Sequence, residues 1–202
     1  MILAFDTSTA ACTAALFSDD GTLLASAHEA IGRGHAERLV PMIEELLAGR
    51  RAGRILVGCG PGSFTGLRVG IAAAHGMAIG WAAELNGFNS LALLAASAPS
   101  GDSVAAAVTG GHGELFVQQF DGSTLEPAGP VRNLPPPEAA AAIDAPVVIG
   151  SGAAALVAAR GSGEALDSFP SAANLFRIPA AQRELPPKPV YARAPDARPR
   201  AA

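Results

Sequence analysis

The chain has 202 residues, half of them hydrophobic, and a formal charge of −4 at neutral pH. That is enough apolar material for a real core, in one domain or two small lobes. The acidic balance excludes the chain as a whole as an electrostatic match for nucleic acid or an anionic membrane. Its two cysteines, Cys12 and Cys59, form neither a C-x-x-C pair nor a disulfide ladder, which points to reduced thiols and a cytoplasmic setting. Met1–Asp6 lacks a basic region and Asp6 interrupts the apolar run, so it reads as a strand and not a leader. No apolar run free of glycine or charge reaches about 18 residues, so no membrane helix is expected.

Ile2–Phe5 is the first predicted strand, followed by the polar turn Asp6-Thr7-Ser8-Thr9. Cys12–Ser18 and Thr22–His28 follow as strands, joined by Asp19-Asp20-Gly21, a hairpin signal. Ala36, Leu39, Val40, Ile43, Leu46 and Leu47 recur at helical spacing, which predicts a helix over 35–48 with Pro41 in its first turn or at a kink. Arg50, Arg51 and Arg54 read as a solvated turn before a strand at 55–58. A second helix is expected over 64–83, then a short extended link at 87–90 and a short helix at 91–98. Pro99-Ser100-Gly101-Asp102 is a natural lobe boundary, dividing 1–98 from 99–202. Beyond it the pattern repeats more weakly: strands at 104–108, 114–120 and 131–133, a helix near 138–143, a strand at 147–149, and a helix opened by Gly150-Ser151-Gly152. The proline-rich tail from Leu185 is expected to be extended, its last residues disordered.

The stretch Gly58-Cys59-Gly60-Pro61-Gly62-Ser63-Phe64-Thr65-Gly66 invites a phosphate-loop reading. It fails the Walker pattern, because it has no lysine, and the dinucleotide pattern, because Ser63 stands where the third glycine belongs. Ser63 and Thr65 are candidate helix caps, with anion binding at the helix start as the alternative. Gly66, Gly70, Ala74 and Ala78 follow at intervals of four, and Ala73, Met77 and Gly80 line a neighbouring edge. Interior glycine costs a helix up to about 1 kcal/mol relative to alanine, so a small-residue stripe implies close approach of another backbone, from the same core or from a partner chain.

Together, "ILAFDTSTAACTAAL", "HAERLVPMIEELL", "GCGPGSFTGLRVGIAAAHGMAIG" and "PVYAR", in this order, resemble the bacterial TsaB (YeaZ) family. The resemblance is dense over 1–98 and thin over 99–202. It implies an α/β, actin-like (ASKHA, ribonuclease H-like) two-lobe fold with repeated βββαβα units. It also implies a non-catalytic subunit that pairs with the catalytic paralogue TsaD to form N6-threonylcarbamoyladenosine at position 37 of tRNAs reading ANN codons. A TsaE-type ATPase joins them, and tRNA is reached through the complex. The family's heterodimer contact uses the two first-lobe helices. Leu39, Ile43, Leu46, Leu67, Gly70, Ile71, Ala74 and Ala78 are therefore the expected docking residues, and a bulky residue at Gly70 or Ala74 is expected to block pairing without unfolding the chain. A homodimer through the same helices is possible when the chain is alone.

No catalytic or metal residue is expected. Where the catalytic paralogue carries H-x-x-x-H after an asparagine, this chain has Asn89 followed by Ser90 and Leu94, and leucine cannot coordinate. His28, His35, His75 and His112 show no ligand spacing, and no G-x-S-x-G is present. An actin-like nucleotide site takes one acid from each lobe. Asp6 fits the first, or merely caps its own turn; Thr109 stands where the family usually shows the second. Asp6, Thr7, Ser8, Gly150 and Gly152 are thus expected to form at most a vestigial nucleotide site, with ATP or ADP and a metal left to the partner subunits. The rival expectation is a self-sufficient actin-like ATPase or small kinase.

Overall fold

The structure, a computed structural model, describes residues 1–191. Ala192, Arg193, Pro195 and Pro199 of the expected extended tail lie outside the described residues.

Strands β1 (Ile2–Asp6), β2 (Ala11–Phe17) and β3 (Leu23–Ala30) form an antiparallel meander. Helix α1 (His35–Leu47) leads to β4 (Arg54–Gly58), and helix α2 (Phe64–Trp81) to β5 (Glu84–Phe88). β4 lies parallel to β1, and β5 parallel to β4, giving the order β3-β2-β1-β4-β5. Helix α1 starts early enough to hold Pro41 in its interior, on an exposed position, where it supplies no amide to the Glu37 carbonyl.

After α3 (Ser90–Ala95) the plan is repeated. β6 (Ser103–Thr109), β7 (Leu115–Asp121) and β8 (Arg132–Leu134) precede α4 (Pro136–Ala142), β9 (Val147–Ile149), α5 (Ala153–Arg160) and β10 (Glu164–Leu166). The second sheet, read β8-β7-β6-β9-β10, has the strand order and the parallel and antiparallel pairings of the first. Each half is therefore βββαβα closed by one further strand. The expected link at 87–90 is instead the end of β5 and the start of α3.

Strand alternation divides the core into layers. Leu3 and Phe5 of β1 face α1 and α2, while Ile2 and Ala4 face a central cluster shared with β6 and β9. Helix α3, Ser-Leu-Ala-Leu-Leu-Ala, is buried on every side at the centre of that cluster, as an all-round apolar helix must be. The far face of the second sheet packs on α4 and α5.

Past β10 the chain returns to the first sheet. The Ala172 amide donates to Thr13 Oγ1 at 3.0 Å, and Phe176 meets Phe17 edge to face at 4.9 Å. Helix α6 (Ala180–Arg183) packs near β5, and Leu185 pairs with Gly87 on that edge.

Candidate functional site

The glycine block begins where β4 ends and wraps the turn after β1. The Ser63 amide donates to the Ser8 carbonyl at 2.7 Å, and Ser63 Oγ caps α2 by accepting from the Gly66 amide at 3.2 Å. Thr7 Oγ1 donates to the Gly66 carbonyl at 2.7 Å. A Cβ at Gly58 would collide with the Asp6 carboxylate, at Gly62 with the Ser8 carbonyl, and at Gly66 with the Thr7 carbonyl. At Gly70 it would lie 2.5 Å from Thr7 Oγ1. What Gly66 and Gly70 of the small-residue stripe admit is this chain's own 6–8 turn.

That turn is sealed. Asp6 Oδ1 accepts from the Ser8 amide at 2.7 Å and the Ser8 hydroxyl at 2.6 Å, and Oδ2 accepts from Ser90 Oγ at 2.6 Å. Ser90 Oγ also accepts from the Gly60 amide at 3.0 Å. Burial pushes the Asp6 carboxyl above the usual carboxylate range, and the Ser8 and Ser90 hydrogen bonds oppose that rise. Ser90, one of the residues standing in for the paralogue's histidines, thus joins Asp6 to the glycine loop, while Leu94 lies in the central core.

Across the interlobe cleft, the Thr109 amide donates to Ser151 Oγ and Thr109 Oγ1 donates to the Ser151 carbonyl, both at 3.1 Å. Ser8, Ser63, Thr109 and Ser151 line this cleft of about 1240 Å³, with Arg33, Arg68 and Glu37. Of the residues expected at a vestigial nucleotide site, Ser8 lines the cleft, Asp6 and Thr7 are buried, and Gly150 and Gly152 lie outside its lining. Gly150 and Gly152 press on Ala107 of β6. A magnesium-nucleotide needs acidic oxygens open to the cleft, and these residues do not fit it. Among the described residues no group of three or more His, Cys, Asp or Glu is placed to hold a metal.

Leu39, Ile43, Leu67, Gly70, Ile71 and Ala74 are buried against their own sheet and the 6–8 turn, and Leu46 and Ala78 are half-buried. A bulky residue at Gly70 would break the fold before it touched a partner. The solvent side of the same helices is the open surface: on α1 it mixes Ala36, Val40 and Pro41 with Glu37, Glu44 and Glu45, and on α2 it carries Ala72, Gly76, Ile79 and Gly80. Ile79 is 82% exposed. Helix α2 carries no acid, and only Arg68 and His75 are basic. A surface helix normally turns its polar side outward. For Ile79 the signal was present in helical spacing, since it lies opposite the buried positions of α2, but α2 is apolar nearly all round and hides which side is which, while Val40 flanks the buried stripe of α1.

These features define a two-lobe, actin-like α/β chain with an inward-sealed acid and an outer helix, α2, that carries no acid. The family model described as "TsaD: tRNA N6-adenosine threonylcarbamoyltransferase" matches residues 27–134. The Escherichia coli tRNA threonylcarbamoyladenosine biosynthesis protein TsaB is 36% identical over 128 residues, 59% of this chain and 54% of that protein. A Pseudomonas aeruginosa crystal structure described as similar to peptidase YEAZ superposes with a TM-score of 0.79 at 30% identity, covering 95% of this chain and 99% of that one. YeaZ from Pseudomonas aeruginosa gives 0.76 at 32% identity, covering 94% and 98%. The chain spans about half the length of the first curated relatives it matches. The chain belongs to the TsaB/YeaZ family.

Proposed function

We propose that this chain is a non-catalytic subunit that pairs with a TsaD-type paralogue to form N6-threonylcarbamoyladenosine at position 37 of tRNAs reading ANN codons. The observation that carries the reading is the exposed apolar side of α2 around Ile79, flanked by Val40 of α1, on a member of a family whose E. coli relative is named for that biosynthesis. The role is indirect: α1 and α2 hold the paralogue in an active arrangement. Nucleotide and metal belong to the partners, because Asp6 is spent inside the fold. A TsaE-type ATPase and tRNA join through the complex, in the cytoplasm, and the isolated chain self-pairs through the same face. The repeated five-strand order supports the ribonuclease H-like ASKHA class. We place the lobe boundary at 99–102, with 172–191 returned to the first lobe. The rival, a self-sufficient ATPase, has no open acid pair among the described residues of the cleft to support it.

Ile79→Glu tests the pairing face. Ile79 is exposed, so the variant folds; a buried carboxylate at a docked face costs several kcal/mol. By analytical ultracentrifugation with the host's paralogue, Ile79→Glu stays unpaired while wild type and Leu24→Glu, on edge strand β3, form the heterodimer. Full pairing by Ile79→Glu removes this face from the interface.

A further inference from the structure

We propose that Phe64, Arg68 and Tyr191, at the mouth of the interlobe cleft, form a stacking platform for unpaired bases of an RNA loop. The proposal rests on the tRNA reading above and names the surface of this subunit that touches the RNA.

Phe64 is the first residue of α2 and is 55% exposed; Tyr191 is 53% exposed. Their ring centroids are 5.8 Å apart with planes tilted by 35°. The Arg68 guanidinium, one turn further along α2, lies 3.7 Å from the Phe64 centroid. The placement is built by backbone pairing. The Gly87 amide donates to Leu185 at 2.7 Å, the Leu185 amide donates back at 3.0 Å, and the Val190 amide donates to Cys59 at 2.8 Å. The chain end is thereby carried along β5 and the glycine loop, so that the next residue, Tyr191, reaches Phe64.

Half-exposed rings beside a guanidinium plane are what splayed bases of a single-stranded loop stack on. A protein partner also uses aromatic and arginine anchors, but the core of such an interface is depleted of charge. Here Arg68 and Arg33 line the same cleft against Glu37 as its one carboxylate among the described residues, and Lys188 stands three residues before Tyr191, in a chain whose total charge is −4. That local inversion of sign complements phosphate.

The test uses the complex of the full chain with its catalytic paralogue, and a tRNA transcript whose anticodon reads an ANN codon. Kd is measured by fluorescence anisotropy across a salt series. Phe64→Leu keeps apolar bulk and removes the ring; it raises Kd about 5- to 150-fold, the range for losing one stacked base. Phe64→Tyr stays near wild type. Arg68→Gln lowers the slope of log affinity against log salt by about 0.7 if it meets one phosphate. Ultraviolet crosslinks map to the peptides holding Phe64 and Tyr191. Unchanged Kd and slope in these variants overturn the platform. Loss of pairing by Phe64→Leu, seen in ultracentrifugation, also overturns it, by making the rings a protein contact. A wild-type complex that binds tRNA with Phe64 dependence but makes no modified nucleoside keeps the platform and sinks the functional reading. One that binds no tRNA sinks both.

Discussion

Gly66→Ala and Gly76→Ala place the same methyl group in the same helix, ten residues apart, and should have opposite effects. At Gly76 an added Cβ meets nothing within 4 Å. The substitution there collects only the helix-propensity gain, about 1 kcal/mol. At Gly66 the Cβ overlaps the Thr7 carbonyl oxygen, and the Thr7 hydroxyl bond to Gly66 ties the two backbones together. Neither side is a flexible side-chain end. Overpacking of this kind costs about 1–3 kcal/mol, and two tethered backbones put it at the upper end, so about 2 kcal/mol remains after the propensity gain. For a chain of this size 1 kcal/mol moves Tm by about 2–4 °C. Scanning calorimetry should therefore show Gly76→Ala raised by about 2–4 °C and Gly66→Ala lowered by about 4–8 °C. Equal shifts at the two sites, or a stabilised Gly66→Ala, would refute the assignment of the stripe to the chain's own turn.

Burial pushes the Cys12 and Cys59 thiols to about 11, so native protein at pH 8 should not react with a disulfide reagent until it is unfolded; a rapidly titrated native thiol would contradict this. Between the unfolded thiol value near 9 and the folded value near 11, the unfolded chain binds fewer protons, so stability falls as pH rises through that window. Replacing both cysteines by alanine should flatten the fall in urea melts. Ser90→Ala leaves a buried Asp6 oxygen and the Gly60 amide without their partner, which should cost about 1–3 kcal/mol. Because the folded Asp6 carboxyl is held above its usual range, its stabilising share is present at low pH and lost as pH rises, and Ser90→Ala should steepen that loss. Calorimetric titration should show no magnesium-dependent ATP binding by the isolated chain; tight Mg-ATP binding would restore the ATPase reading.

The first four strands and both long helices were legible because each carries a local signal: Asp20-Gly21 for the hairpin, helical spacing for α1, and a serine cap for α2. β5 was read only as an extended link from Gly87, because its strand character comes from pairing with β4. β10 is three residues on a sheet edge, too short for a period. At Gly66 and Gly70 what approaches the stripe is a turn some sixty residues away, while Ala74 and Ala78 pack on the first sheet's helix-side cluster. The side-chain types at Asp6 also suggested a ligand site. Its fate depends on Ser90, 84 positions along the chain, which no local pattern reports.

Nucleoside mass spectrometry of bulk tRNA, after depletion of this protein from its own host and re-expression of wild type or Ile79→Glu, tests the central claim most directly. Threonylcarbamoyladenosine should fall on depletion, return with wild type, and stay low with a folded Ile79→Glu. An unchanged level on depletion would contradict the assignment to tRNA modification, and full rescue by Ile79→Glu would contradict the docking face.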